Sequence, residues 1–178
     1  MLSYKQFKLL QELTVKDLMD GTSKFRFPVD KYPQSKFINI NKVTPSIGVK
    51  TLTFYGEAPS FTRSTAGYNQ TIQFKDILYS EDEPQVDKNN WYYLDDNNVW
   101  YKKPELNKHD LAVRCGCPDF RFRFSYANKK QKALFGNLIS YTKKTDRPPL
   151  NPDHIPGMCK HLKNFIEALI QKEYIQDN

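Results

Sequence analysis

Two short words constrain this chain more than any other feature: Cys115-Gly116-Cys117 and Cys159-Lys160-His161, which together hold all three cysteines. Four soft or borderline ligands are the number a closed tetrahedral zinc site needs. If they meet, two points of the chain separated by 41 residues (118–158) must converge. "LAVRC" reads as a strand running into the first pair. In "CGCPD" the glycine permits a tight turn that aims both sulfurs at one point, and Pro118 stops strand pairing there. After the second pair, Leu162, Phe165, Ile166, Leu169 and Ile170 follow the i, i+3, i+4, i+7, i+8 spacing of an amphipathic helix. Residues two apart on a continuous helix point about 200° apart. Cys159 must therefore precede the helix and His161 lie in its first turn, with Pro156 and Gly157 shaping the approach. The positive helix N-terminus then favours thiolate at Cys159. Three thiolates, a neutral imidazole and Zn²⁺ leave one net negative charge, which Arg114, Lys160 and Lys163 are close enough in sequence to offset. With every position filled by protein, such a site is structural rather than catalytic.

Two other readings compete. Free cysteines are commonly small buried hydrophobes, and the 41-residue spacer is long for a compact finger. A Cys115–Cys117 disulfide closes a strained small ring. The placement of one pair at a strand end and the other at a helix start favours zinc over both. His109 and His154 stand in polar loop contexts and read as exposed.

The length, 178 residues, suits one domain, or one domain with an arm, and a 39% hydrophobic, 14% aromatic composition is that of a globular chain. Polar residues run throughout "MLSYKQFKLLQELTVKDLMD", so no signal peptide is expected. An odd number of cysteines then argues for a reducing compartment, where thiols stay free or bind metal. No run of 18 apolar residues occurs, which argues against a membrane span. The formal charge is +7 and unevenly spread. From Arg114 onward there are 12 Lys/Arg against 6 Asp/Glu, whereas the first 113 residues hold 15 against 14. An anionic partner is thus admitted, as is simple solubility.

Along the chain, Ser3 and Gln6 have capping-box spacing, with Phe7, Leu10 and Leu13 on one helix face. A second, short helical turn, Thr14 to Asp20, starts at Thr14-x-x-Asp17 and stops at Gly21. Pro28, Pro33 and Pro45 interrupt any regular element after it. Residues 1–48 are therefore expected to be a helical and extended arm, ordered against a partner, and 49–178 the domain. "VKTLTFYGEA", "GYNQTIQFKDILY" and "LAVRC" read as strands, and "WYYLDDNNVWYKK" as a hairpin turning at Asp95–Asn98. Its aromatics suit an interface, with core packing the default. "DFRFRFSYA" alternates, placing Phe120, Phe122, Phe124 and Tyr126 on one strand face and Arg121, Arg123 and Ser125 on the other. Its Arg–aromatic interleaving also occurs in single-strand nucleic-acid binders, but the amphipathic strand is the preferred reading. Arg121, Arg123, Lys160 and Lys163 are the side chains expected to meet phosphate or an acidic surface. No phosphate loop, nucleophile elbow, His-Glu-x-x-His or Pro-Cys-x-x-Cys deaminase signature is present, so no enzyme is expected.

"CGCPDF" followed by "GMCKHL" and an apolar helix resembles the SWIM-type zinc finger, whose pattern is Cys-x-Cys, a variable spacer, then Cys-x-His. The resemblance covers about residues 111–172, and the spacer is longer than the family's usual one. It implies that Cys115, Cys117, Cys159 and His161 ligate Zn²⁺ within a ββα arrangement. It also implies DNA binding or protein–protein contact. The fuller string "VRCGCPDFRFRFSYAN…NPDHIPGMCKHL" is similar to virion proteins of large tailed bacteriophages. The expectation is thus an α+β fold: antiparallel strands, a zinc-bound Cys-x-Cys turn and a C-terminal helix, preceded by the arm. The expected role is a non-enzymatic structural protein of a tailed-phage virion, at the head–tail connector or in tail assembly. It would be made in the host cytoplasm and bind other virion proteins in a multi-subunit assembly. The alternative is a nucleic-acid-binding SWIM module of regulatory or recombination type that uses the basic C-terminal half; under the structural reading, any nucleic-acid contact is expected to be non-specific.

Overall fold

A computed structural model describes residues 12–25, 40, 42–60, 67–140 and 146–177. The helix expected from Ser3, and Pro28 and Pro33, lie outside the described residues. Thr14 opens helix α1 (Val15–Ser23) with the expected capping box: its side chain accepts the Asp17 N–H, and the Asp17 carboxylate accepts the Thr14 N–H. The helix does not stop at Gly21. It runs on to Ser23, and a Cβ at residue 21 would sit 2.0 Å from the Pro156 carbonyl oxygen. Glycine at this position is a close approach, not a cap.

Strands β1 (Lys42–Gly48), β2 (Thr51–Pro59), β3 (Gly67–Lys75) and β7 (Leu111–Cys115) form an antiparallel sheet in the order β1-β2-β3-β7. Alternation decides its faces. Leu52 and Phe54 of β2, Ile72 and Phe74 of β3, and Leu111 and Val113 of β7 are buried in one core. Between them, β4 (Tyr79–Ser80), β5 (Trp91–Leu94) and β6 (Val99–Lys102) make a second small antiparallel sheet, ordered β4-β6-β5. The β5–β6 hairpin turns through a 3₁₀ turn at Asp95–Asn97 into a left-handed Asn98 (φ 49°). Its aromatics go largely inward: Tyr101 is fully buried and donates to the Tyr174 carbonyl at 3.0 Å, and Tyr92 packs on both rings.

The C-terminal helix α3 (Lys160–Gln171) buries Leu162, Phe165, Ile166 and Leu169 on the four-stranded sheet. A Cβ at Gly56 of β2 would lie 2.8 Å from the Phe165 ring, so the sheet is notched there to receive it. Burying one such ring contributes about 2–3 kcal/mol. The result is a mixed α+β fold with antiparallel sheets and a C-terminal helix.

Two expectations need revision against this architecture. The division at residue 48 falls in the tight turn between β1 and β2. The described part of residues 1–48 packs on the common core: Val15 and Leu18 are fully buried, and β1 pairs along its whole length with β2. Pro45 does not prevent that pairing, because β1 is an edge strand and needs no outward N–H. Second, "DFRFRFSYA" is not a strand. Residues 118–130 are helical: a π-helical turn over Phe120–Phe124, closed by Ser125 N–H to the Phe120 carbonyl, leads into α2 (Ser125–Lys130). Phe120 and Phe124, four apart, are buried, while Phe122 and Tyr126 face outward. Among the described residues no helix is long and apolar enough to cross a membrane.

Candidate metal centre

Cys115 ends β7, where it stands opposite Gln70 of β3, and the Gly116 N–H continues the ladder to the Asn69 carbonyl at 2.9 Å. Cys117 then caps a helix. Pro118 occupies the first helical position, the Cys117 carbonyl accepts the Arg121 N–H at 3.1 Å, and the Cys117 Sγ accepts the Phe120 N–H at 3.3 Å. The sulfur thus does what a serine or aspartate oxygen does at an N-cap. Cys159 is the N-cap of α3 in extended conformation (φ −78°, ψ 168°), and His161 lies in the first turn, as the spacing predicts. Two helix N-termini therefore point at the cluster, and their positive ends favour thiolates.

The four ligand atoms lie within 4.8 Å of one another, and all four residues are buried. The three cysteines are free, so Cys115 and Cys117 form no disulfide. Burial pushes the Cys115 and Cys159 thiols up. Hydrogen bonds from those two thiols pull Cys117 down, against its own burial. Three buried negative charges this close repel one another unless a cation offsets them. A divalent cation at the centre of the cluster does so and admits all three as thiolates. The His161 Nδ1 is buried without a hydrogen-bond partner among the described residues, and the ring rests against Tyr68 at 5.1 Å. One nitrogen of the same ring lies within 4.8 Å of the three sulfurs, and a buried ring nitrogen left unsatisfied costs about 1–3 kcal/mol, so the imidazole fits a metal ligand. The set Cys115, Cys117, Cys159 and His161 can hold a metal ion.

Side chains that position the second pair carry no sequence signal. Asn128, fully buried, accepts the Gly157 N–H at 2.9 Å and donates to the Gly157 carbonyl at 3.0 Å. Asn151 likewise accepts the Ile155 N–H at 2.9 Å and donates to the Ile155 and Arg123 carbonyls, each at 2.8 Å. Thr22 of α1 accepts the Met158 N–H at 2.8 Å. A Cβ on Gly157 would come within 2.7 Å of both Phe124 and Thr22. The loop carrying Cys159 is thus clamped from α1, α2 and its own turn. Gly116, by contrast, is not the required glycine of the "CGC" turn: it has no positive φ, and a Cβ there would meet only Asn69 backbone at 3.7 Å.

The cationic residues separate. Arg121 is exposed, but Arg123 is 15% exposed, ion-pairs with Asp119 at 3.1 Å and lies over the Phe25 and Phe124 rings. Lys160 and Lys163 are half-buried on the first turn of α3. Arg114 reaches the carbonyls of Phe135 (2.7 Å) and Asn137, fastening residues 133–137 along the outer edge of β7. His109 is partly buried rather than exposed: its Nδ1 accepts the Glu105 N–H at 3.0 Å, and burial lowers its pKa. His154 is exposed, edge-on to Tyr126 at 4.9 Å.

Comparison with known protein families, with curated proteins and with solved structures finds no match to this chain.

Proposed function

We propose that Cys115, Cys117, Cys159 and His161 hold one structural Zn²⁺ and that the chain is a non-enzymatic, SWIM-like structural protein acting through its surface. The observation that carries the metal reading is the buried quartet itself, with ligand atoms within 4.8 Å and the His161 Nδ1 unpartnered among the described residues. Three sulfurs and one imidazole suit zinc, and a set of four leaves no open position for a substrate. The ion would tie the end of β7 to the start of α3, the two elements that close the core. Resemblance of the Cys-x-Cys and Cys-x-His words to SWIM fingers, and of the longer string to tailed-phage virion proteins, supports assembly with other virion subunits as the role. Non-specific nucleic-acid binding is the second reading, favoured by exposed Arg121, Lys129 and Lys130 on one helical segment.

Elemental analysis of freshly purified protein should return one zinc per chain, and Cys159→Ser should lose it. Cobalt substitution should give the intense visible absorption of tetrahedral thiolate coordination. Chelation should open the C-terminal half to hydrogen exchange, since folding and metal binding are coupled in such sites. Protein that is fully folded with no stoichiometric metal would refute the centre. Mass spectrometry of purified particles tests the virion role. Oligonucleotide binding that falls steeply with salt would favour the second reading.

A further inference from the structure

The spacer between the two ligand pairs builds a second feature. A groove of about 520 Å³ opens between the 118–130 helical segment and two stretches of the spacer, residues 138–139 and 147–150. Its apolar lining is unusually open: Phe122, Tyr126, Ile139 and Leu150 are 44, 48, 55 and 56% exposed. Arg121 and Arg147 line it as well, and neither is ion-paired among the described residues. Residues 121–150 carry eight Lys/Arg against one Asp, a surplus of +7 equal to the formal charge of the whole chain. The rest of the molecule is electrically balanced. An exposed apolar floor under a cationic rim marks an interaction site, and it selects an acidic occupant with an apolar anchor.

The same chain presents that occupant elsewhere. The loop between β4 and β5 exposes Glu81, Asp82, Glu83 and Asp87, and holds Val86 out at 74% exposure. It is an ordered loop. Ser80 donates to the Asp82 carbonyl at 2.6 Å, Gln85 to the Glu83 carbonyl at 3.1 Å, and Lys88 pairs with Glu83 at 2.9 Å. A loop already held in shape loses little further entropy on docking. A nucleic acid fits the groove less well. Bases need open aromatic faces, whereas Arg121 lies over Phe122 at 5.5 Å and Lys130 over Tyr126 at 4.9 Å. Aliphatic Ile139 and Leu150 also have no partner in a phosphate backbone.

We propose that this groove receives the acidic loop, residues 80–87, of a second copy of the chain, with Val86 as the apolar anchor and the loop carboxylates facing Arg121 and Arg147. Groove and loop are different surfaces, so the contact is head-to-tail and propagates into a ring or a filament rather than closing as a two-fold dimer. The inference deepens the subunit-assembly reading above and rests on it, but not on the metal.

The test is light scattering coupled to size exclusion on the zinc-loaded full chain, over a range of micromolar concentrations at low and high salt. Self-association should rise with concentration and weaken with salt. Ile139→Glu in the groove and Val86→Glu in the loop, both at exposed positions, should each give a folded, metal-retaining monomer. Mixed together, the two variants should form a 1:1 dimer and nothing larger, because one intact groove and one intact loop remain. A parent chain that stays monomeric would overturn the contact while leaving the metal centre standing. So would association that survives both substitutions, or an oligothymidine that binds the parent and is lost in Ile139→Glu.

Discussion

Asn128 offers the sharpest check on how the metal centre is held. Its carboxamide is fully buried and saturates both backbone groups of Gly157, two residues before Cys159. Asn128→Ala leaves a buried N–H and a buried carbonyl without partners, each worth about 1–3 kcal/mol. The expected loss is about 2–4 kcal/mol, measured by urea denaturation of the zinc-loaded protein with an unchanged m-value. The Gly157 segment must be in place for Cys159 and His161 to face the other pair. Part of the loss should therefore appear as weaker metal binding, at least ten-fold if about 1.4 kcal/mol is transmitted. Competition against a chromophoric chelator reads that number. Asn128→Asp is the control. It keeps the acceptor for the Gly157 N–H but sets a carboxylate against the Gly157 carbonyl, an arrangement relieved by protonation. Its folded-state pKa would be raised, so its deficit relative to the parent should shrink as pH falls. If Asn128→Ala stays within about 0.5 kcal/mol of the parent, the ordinary range for a surface change, and binds metal as tightly, the clamp argument is wrong.

The two glycines near the ligands should behave oppositely. Gly157→Ala should cost about 1–3 kcal/mol by overpacking against Phe124 and Thr22, while Gly116→Ala should fall within about 0.5 kcal/mol of the parent, both by denaturant titration. Arg123→Ala should lower thermal stability through lost packing on Phe25 and Phe124, whereas Arg121→Ala should leave melting unchanged. His109, with its pKa lowered from 6.5 by burial, contributes stability that is present above that value and lost as pH falls below it, because the unfolded chain takes up the proton first. The stability advantage of the parent over His109→Gln should therefore shrink on acidification below about pH 6.5.

Features set by short-range spacing are legible in the amino-acid order alone. The capping box at Thr14 and Asp17, the β5–β6 hairpin and the apolar stripe of α3 each follow from neighbours within a turn or two. The candidate ligand set is legible too, because a Cys-x-Cys at a strand end and a Cys-x-His at a helix start can be turned toward one point. "FRFRF" is legible but ambiguous: Phe120 and Phe124 satisfy a strand's period of two and a helix's i, i+4 at once. Pro118, at a first helical position, is the residue that tips the balance toward helix.

Residue order thus sets which side chains can ligate a metal, which segments are amphipathic, and where the charge lies. The tertiary structure decided what those segments do with their freedom. It chose helix over strand for 118–130 by burying Phe124 against Phe25, about a hundred residues away in sequence. It gave Pro45 a place on an edge strand, and it made Gly21 and Gly157 obligatory by bringing Pro156, Phe124 and Thr22 against them. Asn128 acquired its role only when Gly157, 29 residues away, arrived at its carboxamide. The physical reason is range. Periodicity and capping act within a turn of the chain, but close packing and the satisfaction of buried polar groups depend on neighbours that only the fold supplies.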